Sequence, residues 1–326
     1  VRQIAAAEID DGAIWKGLAE LGIPALLVPE HLGGVGLGSL DAAVVAESLG
    51  YHATPAPFLG TAVMAPLAFI QSGQQEALLG PMAQGDYRVG IAFGEAIGAR
   101  NDAGTTVSSG KLTGKAIFAL DAAADGYLVA TREKHLYFVE ATAKGFSRRL
   151  LTTVDKTRTT VELVFDGVVA DLVSQDPGVF DRVLDAGRVM QAADTLGAAQ
   201  YALDQAVDYA KQRKQFERVI GSFQAVKHMC AEMAASLEPC RSLVWYAGHA
   251  LDHIPEESRV TACHAKAHLA EVGRFVAKTA TEVHGGMGFT DLVGLHYWFK
   301  RIGANRQLLG SPELVREEAA RLQGMV

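Results

Sequence analysis

The stretch that decides the fold is KQRKQFERVIGSFQAV, residues 211–226, which lies between two long segments of helical periodicity. Its first four residues hold three cations: Lys211, Arg213 and Lys214. A Gly221–Ser222 break separates this cluster from a second apolar-periodic run that starts at Phe223. The pattern predicts a helical hairpin with a basic corner. Such a corner suits an anionic cofactor, although cations at a helix C-terminus also complement the helix dipole without any ligand.

The composition is that of a globular protein. The chain has 326 residues, of which 49% are hydrophobic, and this fits about two to three domains. A net charge of -7 argues against nucleic acid as a partner, because phosphate binding needs a basic face. The scattered Cys230, Cys240 and Cys263 fit reduced thiols better than a disulfide framework. With neither an export signal nor a run of about 18 apolar residues, the sequence predicts a cytoplasmic protein without a membrane span.

Residues 1–85 are predicted to form an N-terminal helical domain. Gly22 is predicted to end one helix, and Ser39 is predicted to cap another that runs to Gly50. The connecting loop PEHLGGVGLGS, residues 29–39, is rich in glycine but lacks the strand–helix order of a dinucleotide-binding unit. A flexible turn is therefore the favoured interpretation.

Residues 86–175 are predicted to form a β domain. Short β-rich runs, which include RVGIAF, DGYLVAT and TTVELVFDGVVA, are separated by turns at roughly regular intervals, as in an antiparallel sandwich or barrel. The segment SSGKLTGK, residues 108–115, is reminiscent of a phosphate-binding loop. Its glycine spacing differs, however, and Leu112 follows Lys111 where a magnesium ligand belongs. A hairpin turn is the better interpretation.

Residues 176–326 are predicted to form a C-terminal antiparallel four-helix bundle with a methionine-bearing apolar stripe as core. His264 and His268 stand one helical turn apart beside Cys263. Neither a fourth ligand nor an HExxH glutamate accompanies them, so no metal is expected. In EVHGGMGF, residues 282–289, glycines end a helix and let a ligand approach the backbone.

The order of these parts and three motifs resemble one family of flavoproteins. The motifs QRKQF, IGSFQAV and EVHGGMGF, together with WKGLAELGIPALLVPEHLGGVGLGSLDAAVVAESLG near the N-terminus, resemble the acyl-CoA dehydrogenase family. The resemblance covers nearly the whole chain. It implies an α+β multidomain fold with an N-terminal helical domain, a middle antiparallel β domain and a C-terminal helical bundle.

The resemblance also implies FAD as a cofactor that two subunits share, one supplying the flavin pocket and a neighbour holding the ADP half. The residues that match the ADP-holding half are cationic, aromatic or able to hydrogen-bond, or leave the backbone bare: Arg213, Phe216, Gln224, Glu282, Gly285 and Gly286. A guanidinium suits a pyrophosphate, and glycine lets the backbone reach a nucleotide. This half of the site is predicted to be intact.

The flavin-facing half departs from the family pattern. The corresponding stretches read IAFGEAIGARND and KAIFALDAA. Glu95 follows a glycine at the place of the family's threonine, and the turn after it lacks the family's Ser-Asp pair. Ile117 and Ala119 stand at the places of a tryptophan and its hydroxyl partner. The resemblance therefore implies a flavin pocket without a stacking ring and without several hydrogen bonds.

The catalytic base of the family also has no counterpart here. A carboxylate is needed to remove the α-proton of the acyl thioester. Leu309 matches the C-terminal glutamate position and Gly187 matches the alternative helix position, so no catalytic residue is predicted. Asp185 and Asp194 are nearby acids outside the expected register, and either is a candidate substitute base.

Three functions remain open from the sequence. The favoured one is a subunit of a heteromeric, FAD-dependent acyl-CoA dehydrogenase, resembling the non-catalytic partner chain of α2β2 enzymes of bacterial steroid side-chain breakdown. A sister subunit, an acyl-CoA substrate and an electron-accepting flavoprotein are then the expected partners. The alternatives are a self-sufficient homo-oligomeric acyl-CoA dehydrogenase with an unusual base, and a flavin-free structural or binding protein of the same fold.

Overall fold

The N-terminal part of the chain is helical. A computed structural model describes residues 11–98 and 104–326, and the structural statements below refer to these residues. The α-helices of this part are α1 (Gly12–Glu20), α2 (Ser39–Tyr51), α3 (Ala65–Ser72) and α4 (Glu76–Gln84). Short 3-10 turns at Ile23–Ala25 and Glu30–Leu32 and a π-helical segment at Phe58–Met64 connect them.

Two glycine positions mark the ends of these helices. Gly22 lies just beyond α1 with a φ of 77°, a left-handed conformation that glycine adopts without a steric penalty. The prediction that Ser39 caps α2 is wrong by one residue, because Gly38 is the N-cap and Ser39 begins the helix. The Ser39 hydroxyl instead donates to Asp252 Oδ1 at 2.8 Å, which connects the N-terminal helices to the C-terminal bundle.

The middle of the chain forms one curved sheet. Among the described residues its strands are β1 (Val89–Ala92), β2 (Gly104–Ser108), β3 (Lys111–Leu120), β4 (Gly126–Ala130), β5 (Leu136–Glu140), β6 (Phe146–Leu151), β7 (Thr160–Val169) and β8 (Asp171–Ser174). The order is β6-β7-β3-β1-β4-β5-β8, with β2 paired to β3. The antiparallel prediction holds for every pair except β1 and β4, which run parallel.

Alternate residues of the sheet enter two different cores. Leu128 and Ala130 of β4 join the large core beneath the helices, whereas Tyr127 and Val129 join a second cluster. Strands β3 and β7 also contribute to this second cluster although they lie on the other side of β1 in the sheet order. The sheet therefore folds over its own core while its outer face packs on helices.

The C-terminal part is a bundle of long helices. They are α5 (Pro177–Gln212), α6 (Gln224–His253), α7 (Pro255–His284), α8 (His296–Gln307) and α9 (Pro312–Leu322). Helix α5 has 36 residues, and its middle is buried all round, which makes it the centre of the molecule. The predicted sequence of helical, β and helical parts is confirmed. The boundaries at residues 85 and 175 stay a prediction, and the changes of secondary structure fall close to them.

Helix α5 crosses α2 at a contact that only glycine permits. A Cβ atom on Gly197 would lie 1.8 Å from Glu47 O, and one on Gly50 would lie 2.0 Å from Asp194 O. The two backbones therefore touch, and this contact fixes the N-terminal helices against the bundle. Within the described part of the chain, no helix is both long and apolar enough to cross a membrane.

Candidate functional site

The basic corner predicted from the sequence is a surface hairpin. Helix α5 ends at Gln212, and two short strands, β9 (Lys214–Gln215) and β10 (Arg218–Val219), form a tight turn before α6. Arg213 is exposed and has no carboxylate partner within the described ranges, whereas Lys211 Nζ lies 4.0 Å from Asp208 Oδ1. Phe216 at the tip is 86% exposed. An exposed aromatic ring beside an unpaired guanidinium is typical of a binding surface, because an apolar ring is otherwise more stable in the core.

Helix α6 begins directly after this hairpin. Gln224 is its first residue and is exposed, and no side chain caps the amides of the first turn. The N-terminus of a 30-residue helix carries a partial positive charge and free N–H groups. Arg218 stacks on the ring of Phe223 at 3.9 Å and holds the hairpin against this helix start. The corner thus combines cations, a helix N-terminus and the exposed ring of Phe216.

The glycine turn predicted at the end of α7 lies at the same end of the bundle. The ring of His284 stacks on Tyr209 of α5 at a centroid distance of 4.6 Å, and Tyr209 O accepts the amide of Arg213. Gly285 has a φ of 60°, and a Cβ on Gly285 or Gly286 would meet nothing within 4 Å. The structure thus leaves open space above bare backbone, close to the hairpin.

A cleft of about 580 Å³ lies between the sheet and the bundle. One wall comes from β1, β3 and the loop before β7, and the other comes from the end of α8 and the turn Leu309–Ser311. Most of its lining is apolar, with a few polar groups such as Thr153, Thr160 and Gln307. This combination of size and lining is typical of a small-molecule site.

The cleft contains an aromatic ring that the sequence analysis did not assign. Ile117 lines the cleft, but Ala119 is fully buried in the second core of the sheet. Phe118 lines the cleft instead and is 48% exposed. A bulge between Ala116 and Ala119 adds one residue to β3, and Phe118 has a φ of 61°. Strand alternation cannot predict this because a bulge breaks the period of two.

The two positions that match the family's catalytic base lie against each other. A Cβ on Gly187 would lie 2.6 Å from Leu309 Cδ1 and 2.7 Å from Met64 Sδ. Met64 is fully buried and Leu309 is 5% exposed, so the space is filled by apolar atoms. Arg188, which the sequence analysis did not single out, fixes the turn by donating from Nε to Leu309 O at 3.1 Å. Apolar side chains therefore fill the space between these two predicted positions.

Asp185, one candidate substitute base, is buried elsewhere. Burial raises its pKa to about 8, although Arg188 acts in the opposite direction with Nη1 3.5 Å from Asp185 Oδ1. Asp185 is not among the described residues that line the cleft. This buried carboxyl lies next to Arg188 and Glu318 and belongs to the packing between α5 and α9. Asp185 therefore does not reach the cleft beside the Leu309 turn, where a substitute base would have to lie.

Asp194, the other candidate, is a buried counter-ion. Arg301 donates to both carboxylate oxygens, with Nη2 2.6 Å from Oδ2, and Arg158 and Asn305 bind Oδ1. Burial acts to raise the pKa of Asp194, but Arg301 and Arg158 outweigh it and lower the pKa to about 2. A carboxylate so stabilised is a weak base. Its role is to join α5, α8 and the loop before β7.

The loop that precedes the cleft is only partly described. Glu95 is buried, its Oε1 accepts the amide of Ile117 at 3.0 Å, and burial raises its pKa. Glu95 therefore holds β3 in place beneath the cleft. The rest of this turn, where the family's Ser-Asp pair is predicted to be missing, includes residues 99–103, which lie outside the described residues.

The histidines considered as metal ligands are spread over the surface of α7. His264 and His268 are exposed, while Cys263 is fully buried and its thiol faces Arg188 at 3.5 Å. In the ranges that the structure describes, no group of three or more potential ligands is close enough to hold a metal ion.

Glu313 lies on the exposed first turn of α9 and pairs with Arg306.

Comparisons with known proteins define the class. Residues 1–86 match the acyl-CoA dehydrogenase N-terminal domain, and residues 178–323 match the acyl-CoA dehydrogenase C-terminal domain. The chain is 32% identical over 317 residues to acyl-CoA dehydrogenase IpdE2 of Mycobacterium tuberculosis, covering 97% of this chain and 87% of that protein. The chain therefore belongs to the acyl-CoA dehydrogenase family, which confirms the resemblance found in the sequence.

Solved structures share the whole fold. The Tcur3481–Tcur3483 steroid ACAD is 28% identical with a TM-score of 0.90, and the match covers 99% of this chain and 91% of that chain. The ChsE4–ChsE5 complex of Mycobacterium tuberculosis has a TM-score of 0.88 at 24% identity, covering 100% and 92% of the two chains. The family is one of oxidoreductases that act on acyl-CoA thioesters.

Proposed function

We propose that this chain is the base-lacking subunit of a heteromeric, FAD-dependent acyl-CoA dehydrogenase. In this assignment the end of its bundle holds the ADP half of an FAD, and a sister chain supplies the flavin pocket and the catalytic glutamate. The observation that carries the proposal is the apolar contact of Leu309, Met64 and Gly187 at the place where the reaction needs a carboxylate.

A missing base supports a non-catalytic role because the reaction begins with removal of a proton from the substrate. An α-proton of a thioester leaves at a useful rate only to a group with a suitable pKa within hydrogen-bond reach. The Leu309 side chain offers no basic group, Gly187 has no side chain, and a glutamate at Gly187 would clash with Leu309 and Met64. Placing a base at Gly187 therefore requires that Met64 and the Leu309 side chain move.

The bundle end fits the nucleotide half of FAD. Arg213 is exposed and its guanidinium can hydrogen-bond a pyrophosphate, and the uncapped first turn of α6 adds backbone donors. The open space at Gly285 and Gly286 allows backbone amides to meet the nucleotide directly. Phe216, Gln224 and Glu282 would flank it with a ring and hydrogen-bonding groups.

When bound, FAD supplies a flavin ring that accepts the hydride from the acyl β-carbon. The residues of this chain would then bind and orient the nucleotide, and they would transfer no proton themselves. Phe216 and Phe289 are 86% and 79% exposed, and a sister chain on this end of the bundle would exclude water from both.

The named relatives support the heteromeric part of the proposal. The Tcur3481–Tcur3483 steroid ACAD and the ChsE4–ChsE5 complex each carry two chain names, and this chain matches both over nearly its full length. By analogy we extend the proposal to a steroid side-chain CoA thioester as substrate. An electron-accepting flavoprotein is the expected redox partner.

Purification with and without the sister chain tests the proposal. The chain expressed alone is expected to be colourless and inactive, and co-expression is expected to yield a heteromer with bound FAD and acyl-CoA dehydrogenase activity. If the chain alone retains stoichiometric FAD and oxidises an acyl-CoA, it is a self-sufficient enzyme with an unusual base. If no FAD is retained in either case, the flavin-free alternative holds.

A further inference from the structure

The cleft between the sheet and the bundle contains a guanidinium that the proposed function does not use. Arg158 lines the cleft and also lines a smaller cavity of about 60 Å³. Leu120 is the other described residue common to both linings. Arg158 therefore lies at the inner end of the cleft, where the two spaces meet.

The hydrogen bonds of this guanidinium are incomplete. Nη2 donates to Asp194 Oδ1 at 3.0 Å and to Asn305 Oδ1 at 2.7 Å. Nε is buried without a hydrogen bond, although Asp155 Oδ2 lies 3.9 Å from it, and Nη1 has no acceptor within the described part of the chain. Since arginine has five N–H donors, more than half of them lack an acceptor from the protein. A buried donor without an acceptor is costly, so a ligand oxygen here would be stabilised.

The surrounding charge also favours an anion. Arg158 Nη2 and Lys266 Nζ both donate to Asn305, and Arg301 binds Asp194, so that three basic groups stand beside two carboxylates, Asp155 and Asp194. Asp155 Oδ1 already accepts the amide and hydroxyl of Thr157. Burial and the neighbouring Arg301 lower the pKa of Arg158, while Asp194 and Asp155 act in the opposite direction.

The remainder of the cleft favours an apolar body. Among its described lining residues, Arg158 and Asp155 are the only charged ones. Phe93, Ile117 and Phe118 line the sheet side, and Leu309 and Leu314 line the helical side. A ligand with an apolar chain or ring system would bury its surface between these walls.

We propose that Arg158 makes this cleft a binding site for a small apolar ligand that carries a carboxylate at its inner end. The site is separate from the nucleotide-holding end of the bundle. The proposal rests on the proposed function in one respect, because it places the flavin ring in the sister chain and leaves this cleft to another ligand.

Calorimetric titration of the full-length chain with two matched probes tests the proposal. Decanoate and decylammonium share an apolar chain and differ in the charge of the head group. Decanoate is expected to bind about ten- to a hundredfold more tightly, as expected for one charge-assisted hydrogen bond. Equal affinities for the two probes in the wild-type chain would overturn the proposal.

Variants of Arg158 and Phe118 test whether the preference for decanoate arises at Arg158. Arg158→Gln is expected to abolish the preference for decanoate, and Arg158→Lys is expected to restore part of it. Phe118→Gly removes a cleft wall, and its positive φ suits glycine, so this variant should weaken both probes alike. A folded Arg158→Gln chain that still prefers decanoate would contradict the assignment. If that variant does not fold, the two-probe comparison and Arg158→Lys decide.

The outcome can be separated from that of the proposed function. FAD content of the co-expressed complex tests the nucleotide end, and the carboxylate preference tests the cleft. A chain that binds FAD alone contradicts the sister-chain assignment, and only the probe comparison can overturn the role of Arg158.

Discussion

Two arginine-bearing regions of this chain show opposite physical situations. Arg213 at the hairpin is exposed and has no carboxylate partner within the described ranges, whereas Arg301 beneath the cleft is 3% exposed and binds both oxygens of Asp194. Water solvates the charge of Arg213 at the hairpin, whereas hydrogen bonds to protein groups stabilise the charge of Arg301 beneath the cleft. The difference teaches that the hairpin is free to bind a ligand and that the buried network stabilises the fold.

The largest expected effect is a difference in the free energy of unfolding between a variant of the buried Arg301 and a variant of the exposed Arg213. Arg301→Met leaves Asp194 without its main partner in the interior and is expected to lower the free energy of unfolding by about 3–5 kcal/mol. Arg213→Met should change it by no more than about 0.5 kcal/mol, because the side chain is exposed. Urea unfolding followed by circular dichroism measures both. Similar losses in the two variants would break the comparison.

The next prediction concerns Lys266, which belongs to the buried region. Its Nζ donates to Asn305 O, and burial together with Arg188, Arg158 and Arg306 lowers its pKa to about 7. The unfolded chain therefore binds more protons than the folded chain between this value and the ordinary lysine pKa. The free energy of unfolding should rise as the pH increases through that window.

Lys266→Met is expected to flatten this pH dependence, and the exposed Lys227→Met on α6 should leave it unchanged. Unfolding curves across the window provide the measurement. Retention of the full slope in Lys266→Met would show that another group is responsible.

At the hairpin the expected effect is on the cofactor. Arg213→Ala in the assembled complex should weaken FAD retention by the value of one charge-assisted contact, on the order of 1.5–3 kcal/mol. Lys16→Ala is the matched control, since Lys16 is also exposed and cationic but lies on α1, away from the hairpin and the first turn of α6. Equilibrium dialysis of FAD distinguishes the two. Unchanged retention in Arg213→Ala would remove this residue from the proposed site.

The smallest expected effect on stability comes from the glycine turn. A Cβ on Gly286 would meet nothing within 4 Å, so Gly286→Ala should change the free energy of unfolding by less than about 0.5 kcal/mol. FAD retention should nevertheless fall if a nucleotide approaches this backbone. Thermal unfolding and FAD dialysis of the same preparation give both values. An alanine that leaves retention unchanged would place the nucleotide elsewhere.

Much of the fold could be predicted because it depends on local pattern. Helical periodicity, turn residues and β-rich runs predicted the three parts in order. The break at Gly221 and Ser222 marks a short 3-10 turn before α6, whereas the hairpin itself lies earlier, between Lys214 and Val219. Single boundaries were less certain, as Ser39 shows, because its hydroxyl binds Asp252 far along the chain instead of capping its helix. The parallel pairing of β1 with β4 was likewise missed, since pairing depends on topology.

The candidate site divides in the same way. The absence of carboxylates at Gly187 and Leu309 was readable from the sequence, but their mutual contact and the intrusion of Met64 were not. Phe118 entered the cleft through a bulge, and Ala119 turned into the core. No spacing in the sequence joins Arg158 to its partners on α5 and α8.

The sequence by itself determined the order of parts, the exposed basic corner and the residues available at the base positions. These features depend on residue type and on neighbours within a few positions. Only the tertiary structure decided that Leu309 packs on Gly187, that Phe118 faces the cleft and that Arg158 lies at its inner end. Such features depend on contacts between distant segments, whose free energy is set by packing and burial in the folded chain.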